Sequence, residues 1–134
     1  MATNTPTAPA LEPFVRRRTA LLTSYKRDGN PVETPVTIAV AGDRAFIRSY
    51  AKAWKSRRMK HNPEVRIAPS TVRGRPVGSA IAARSRLLNG EEAAGAARAI
   101  ARRQPVLQGI FVPLFHRLAR YRTLHYELTP VADG

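Results

Sequence analysis

From Val32 to Ala41 the chain reads VETPVTIAVA, and its apolar and polar positions alternate. Val32, Thr34, Val36, Ile38 and Val40 share one face. Glu33, Pro35, Thr37, Ala39 and Ala41 share the other, as in a strand with one side in a core. Upstream, Thr19–Lys26 is strand-leaning, and the Asp-Gly of the intervening RDGN predicts a hairpin. Gly42-Asp43 makes the next turn. Arg44–Tyr50 is a third strand, with Ala45, Ile47 and Ser49 on one face and Phe46, Arg48 and Tyr50 on the other. Residues 51–61 form a short helix stopped at Asn62-Pro63. Glu64–Ser70 is a fourth strand, RGRP at 73–76 a turn, and Ser79–Leu88 a fifth strand stopped by Asn89-Gly90. Glu91–Arg103 is the clearest helix, with acids in its first turn, arginine in its last and many alanines between. A further helical stretch is expected over 112–120, a last strand over Arg122–Thr129, and a short helical lead-in over Leu11–Arg17.

Sequential hairpins imply an antiparallel sheet, and six strands with little helix imply a mainly β protein, a barrel with flanking helices. Pro35 interrupts this pattern. It donates no ladder hydrogen bond, so the second strand is expected at an edge or bulged there, leaving a backbone against which a flat ring can lie. The 134 residues fit one domain, read as 11–134. Residues 1–10 lack the basic and apolar regions of a signal peptide and read as a disordered tail.

Composition removes several kinds of chemistry. There are no cysteines, which excludes disulfides, Cys-ligated zinc and thiol catalysis and suits a reducing cytoplasm. No run of about 18 apolar residues exists, so no span of a bilayer is expected. His61, His116 and His125 have no partners at metal-ligand spacing, and each reads as structural. His125 alternates with Leu124, Tyr126 and Leu128, which turns it outward on the last strand. The nine acids form no evident general acid–base pair, and no nucleophile or nucleotide-binding motif is present. Any catalysis would therefore sit in a cofactor, with the protein supplying position and electrostatics.

The net charge of +14 points to an anionic partner: nucleic acid, acidic lipid or a cofactor. Part of it follows the Arg- and Ala-rich background of the chain. The densest run is AKAWKSRRMKHNP at 51–63, with Lys52, Lys55, Arg57, Arg58 and Lys60. At a helical period these cations point in nearly every direction, whereas a groove-reading helix needs one stripe. Lys52 and Lys55 fall at the helix start, where cations are unfavourable unless an anion docks there. A strand, a basic turn and a helix N-terminus thus make a phosphate cradle plausible, against the plainer reading of a solvated helix. The few aromatics are not interleaved with the basic runs, which argues against specific nucleic-acid binding.

Three segments in one order, YKRDGNPVETPV (25–36), AFIRSYAKAWKSRRMKHNPEVRIAP (45–69) and VRGRPVGSAIAARSRLLNGEEA (72–93), resemble the pyridoxamine-phosphate-oxidase-like split-barrel family. The resemblance extends from about residue 12 to 130 and is nearer to the actinobacterial F420-dependent (deazaflavin-dependent) oxidoreductases. LFHRLARYRTLHYEL near the C-terminus is similar too. The resemblance implies a six-stranded antiparallel split barrel of the FMN-binding kind, a homodimer, and cofactor sites at the subunit interface. The cofactor would be coenzyme F420, with FMN as the alternative, and the reaction hydride transfer to an unsaturated small-molecule acceptor. A non-catalytic ligand-binding barrel is the other function it allows.

By position, the resemblance puts the ring against Thr34, Pro35, Val36 and Thr37, beside Arg48, Ser49 and Tyr50. It puts the phosphate at Lys52, Trp54, Lys55, Ser56 and Arg58. The other subunit would reach in near Pro76, Gly78 and Ser79, and Arg73 and Arg75 would meet the acidic tail. Trp54 departs from the family, where a small residue often precedes the lysine corresponding to Lys55. Its bulk either narrows the phosphate site or stacks on a ring.

Overall fold

The computed structural model describes residues 8–50, 54–102 and 123–131, with the backbone alone at 50 and 54–56. The strands are β1 (Thr19–Tyr25), β2 (Pro31–Ala41), β3 (Arg44–Tyr50), β4 (Glu64–Ser70), β5 (Ile81–Leu87) and β6 (Thr123–Pro130). The helices are α1 (Trp54–His61) and α2 (Gly90–Arg102), preceded by a 3₁₀ helix at Pro9–Phe14. All strand pairings are antiparallel. The strands close into one barrel in the order β1-β2-β3-β6-β5-β4. The expected strands are all found, Arg44–Tyr50 and Glu64–Ser70 with the expected bounds and the others with ends shifted by at most two residues, and the described parts of 51–61 and 91–103 are helical. The expected helix over 112–120 lies outside the described residues. No helix among the described residues is long and apolar enough to cross a membrane.

The barrel interior takes one face of each strand. Ala20, Leu22, Val36, Ile38, Ala45, Ile47, Val65, Ile67, Ala83, Tyr126 and Leu128 form a single buried cluster. Leu11 and Phe14 of the 3₁₀ helix join this cluster from one end of the barrel, and Met59 of α1 joins it from the other. Apolar alternation therefore does its usual work: each inward residue leaves water at roughly 25 cal/mol per Å² of apolar area.

Outside the barrel, α2 buries Ala96 and Ile100 against Ala39, Phe46 and Leu88. An ionic chain fastens this layer. Glu127 accepts from Arg44 Nη1 at 2.6 Å and from Arg86 Nε at 3.3 Å, and Arg86 Nη2 reaches Glu92 Oε2 at 2.8 Å. Glu127 neighbours Phe46 in β3 and Arg86 in β5, so one carboxylate joins three strands and, through Arg86, the first turn of α2.

Candidate functional site

The barrel is closed but not evenly paired. β2 pairs with β1 from Pro31 to Thr37, yet with β3 only from Ile38 to Ala41. β3 itself continues to Tyr50, paired with β6 on its other side. Beyond the last rung, Ile38↔Ile47, the two strands part. Thr34–Thr37 of β2 and the end of β3, Arg48–Tyr50, lie past the shared ladder with no rung between them, and this break in pairing is the β2–β3 opening.

Pro35 sits on the open side. The Ile38 N–H donates to Arg18 O on the β1 side at 3.0 Å. N–H and C=O groups of alternate residues point to opposite edges of a strand, so those of Pro35 and Thr37 point to the β3 side. The N–H that Pro35 lacks would therefore have faced the opening. The strand is central by topology and an edge over this stretch, which resolves the expectation of an edge or a bulge. Pro69 is placed similarly: β4 pairs with β5 only as far as Ile67, and Pro69 lies beyond, paired with β1 on one side while its carbonyl accepts from the Val77 N–H of the β4–β5 loop at 2.8 Å.

The side chains around the opening divide between two faces. Val36 and Ser49 are buried inside the barrel, so their side chains do not line the outer side of the opening. Pro35 is exposed on the outer face, and Arg48, half-buried, lies on the outer face of β3. The β4–β5 loop completes the surroundings. Gly74, at φ +91°, approaches Pro35 so closely that a Cβ on it would stand 2.7 Å from Pro35 Cγ. The loop therefore crosses β1 from β4 to β2 and carries the exposed Arg73 and Arg75 to the outer side of Pro35. Thr71 Oγ1 accepts from the Arg75 N–H at 3.1 Å, and Pro76 bridges back to Ser70. Gly78 and Ser79 follow on the same exposed loop.

The helix α1 is the next described element after β3, with Trp54, Lys55 and Ser56 as its first described residues. Lys52 lies outside the described residues. Arg58 is partly committed to the fold: its Nε donates to Oγ of the fully buried Ser24 at 2.6 Å. Its neighbour Met59 enters the core, so both side chains seat α1 on the end of the barrel. The structure thus brings Thr34–Thr37, Arg48–Tyr50 and the Arg73–Arg75 turn around one opening, with the start of α1 next along the chain.

Two residues near the opening were not picked out as functional from the sequence. His125 is paired in register with Arg48 on the outer face. Burial, and then the Arg48 charge, hold its imidazole below the ordinary histidine range. Ser24 escaped notice because a serine in an apolar strand carries no local signal of its partner. The Glu127 carboxyl is pushed up by burial, but hydrogen bonds from Arg86 and Arg44 outweigh this and hold it below its usual range. Among the described residues no group of three His, Asp or Glu is placed to hold a metal ion.

No family model and no curated protein matches the chain. Solved structures match it well. HutZ, the haem storage protein of Vibrio cholerae, superposes with a TM-score of 0.64 at 15% identity, over 96% of this chain and 92% of that one. A FAD-binding protein of Mesorhizobium loti gives 0.62 at 14% identity, over 92% and 86%. A candidate pyridoxamine 5'-phosphate oxidase of Listeria innocua gives 0.59 at 16%, over 92% and 91%. At these identities the likeness is one of fold: the six-stranded antiparallel barrel of pyridoxamine-phosphate-oxidase-like proteins.

Proposed function

We propose that this chain is an F420-dependent reductase, holding a deazaflavin at the β2–β3 opening for hydride transfer to an unsaturated small-molecule acceptor. The observation that carries this reading is the one-sided stretch of β2. Its ladder toward β3 stops at Ile38, and the next residue whose backbone faces that side is Thr37. A flat heterocycle with polar edges fits such a backbone, because it can take the hydrogen bonds that a neighbouring strand would otherwise take. Pro35 offers an exposed ring surface without a competing N–H.

The residues also fit an anionic cofactor. Arg73 and Arg75 lie beside Pro35 and would meet an acidic tail. Lys52, Lys55 and Ser56, at the approach to α1, would hold a phosphate, with Trp54 stacking on or narrowing that site. Arg58 is assigned first to Ser24 and only secondarily to the ligand. The chain would bind, orient and shield the cofactor rather than supply a catalytic side chain.

A homodimer is part of the proposal. The loop bearing Pro76, Gly78 and Ser79 also exposes Val72 (80%) and Val77 (46%), apolar surface that a second copy would cover. We assign the protein to the cytoplasm on its lack of cysteine.

The test is fluorescence titration of the purified protein with F420 beside FMN at low salt. Micromolar or tighter F420 binding supports the reading. Absence of F420 binding, with a positive-control protein binding normally, overturns it. The second reading, an FMN- or haem-type ligand carrier without catalysis, draws on the FAD-binding and haem-storing proteins that share this barrel. A yellow protein that releases flavin on heating would favour it. Nucleic-acid binding driven by the +14 charge alone would fall steeply with salt and show no specificity.

A further inference from the structure

We infer that Ser24 is a positioning residue for the ligand site: it holds the Arg58 guanidinium by Nε and leaves the Nη edge to take one oxyanion group, phosphate or carboxylate, at the α1 end of the barrel. The inference rests on the proposed ligand site for the location of that group, and goes beyond it in giving Ser24 a part. Ser24 continues the inward row Ala20, Leu22 of β1 and is fully buried. Arg58 lies in the middle of α1, half-buried, and its Nε donates to Ser24 Oγ at 2.6 Å. Ser24 pairs with Val32 of β2, two residues before Thr34. The anchor therefore stands at the end of the barrel where β2 has no rung with β3.

The chemistry of the anchor matters as much as its place. A cation drawn partly out of water is commonly paired with a carboxylate. Arg58 is met by a neutral hydroxyl instead. Among the described residues that is the guanidinium's one hydrogen bond, and no carboxylate pairs with it. Ser24 thus fixes the direction of the guanidinium without cancelling its charge. The Nη groups carry the remaining N–H donors, side by side, and this edge matches two oxygens of a phosphate or carboxylate. The helix beneath is fixed as well, since Met59, the next residue, is locked in the core. A side chain held in this way loses little further freedom when an anion docks, so the cost of ordering a long arginine is met by the fold. A lysine at 58 would bring the charge without the separate Nε contact that aims it.

The probe is inorganic phosphate, titrated at fixed pH and ionic strength and read by NMR from the backbone amides of α1. In the wild-type protein these signals should move and saturate. Ser24→Ala should weaken the affinity by about three- to tenfold, and Arg58→Lys by a similar factor. The double variant should lose no more than Arg58→Lys alone, because the hydroxyl acts only through the guanidinium. Ser85→Ala is the control. It removes another buried hydroxyl bond, to Pro63 O at 3.1 Å, but one that holds no cation. It should lower the melting temperature about as much as Ser24→Ala and leave phosphate affinity unchanged. Wild-type α1 signals that ignore phosphate overturn the proposal. Unchanged affinity in Ser24→Ala also overturns it, leaving Ser24 to seat α1 and nothing more. So do losses that add in the double variant, or an equal loss in Ser85→Ala. Titration of the same proteins with F420 keeps the two readings apart. Coupled phosphate binding without F420 binding leaves this subsite and removes the deazaflavin, and F420 binding indifferent to Ser24 does the reverse.

Discussion

Gly74 and Pro35 are in backbone-to-ring contact, and no other residue type fits at 74 without movement. A Cβ there would lie 2.7 Å from Pro35 Cγ, and the φ of +91° disfavours any L side chain. Gly74→Ala should therefore cost about 1–3 kcal/mol of stability. In a Pro35→Ala background the cost of Gly74→Ala should shrink, because the 2.7 Å clash with Cγ is gone and only the 3.3 Å approach to Cβ and the backbone strain remain. A double-mutant cycle by urea unfolding checks this; equal costs in both backgrounds would refute the contact.

Glu127 and Glu92 stabilise the fold as carboxylates. Both have folded-state values below the usual range, Glu92 through hydrogen bonds from Arg86 and Glu127 because its arginine partners outweigh burial. Their contribution is full above the unfolded carboxylate value of about 4.3 and is lost as pH falls through the lower folded values. Thermal stability should thus drop on acidification from about pH 5 downward, and less steeply in Glu127→Gln. At pH 7, Glu127→Ala should cost about 1–2 kcal/mol, between an exposed pair and a buried charge-assisted bond. Melting curves of wild type and variants between pH 3 and 7 measure both effects.

Ser24 and Met59 hold α1 on the barrel. Met59→Ala should cost about 2–5 kcal/mol, as a buried side chain deleted from a packed core. Ser24→Ala should cost about 1 kcal/mol, since the half-buried Arg58 can recover water. Hydrogen exchange localises the effect. The Asn62 N–H, which closes the last turn on Arg58 O at 2.9 Å, should exchange faster in Ser24→Ala, while barrel strands remote from α1 should not.

Lys55→Ala should weaken F420 binding by about 1.5–3 kcal/mol, the range for a hydrogen bond to a charged group. Thermal stability should hardly change. A fall in melting temperature as large as that of Met59→Ala would show that Lys55 serves the fold instead.

Much of the architecture was legible because strands with one buried face write a period of two. The inward set Val36, Ile38, Ala45, Ile47 and Leu128 follows directly from it. The outward placement of His125 follows from the same alternation. The candidate site was legible only in part. Its residues fall in four separate stretches, and local pattern cannot state that 34–37, 48–50 and 73–75 meet. Pro35 was the one local clue. It showed that a ladder bond was missing without showing on which side.

The amino-acid sequence by itself determined the number and phase of the described strands, the turns at Asp28-Gly29 and Gly42-Asp43, and the helix at α2. These depend on local periodicity and on residues suited to turns. Tertiary structure alone decided that β1 and β4 close the barrel, that β2 leaves β3 after Ile38, and that Glu127 gathers Arg44 and Arg86. Each of these joins residues far apart in the chain, where pairing is set by shared burial and geometry around the whole barrel rather than by any neighbouring residue.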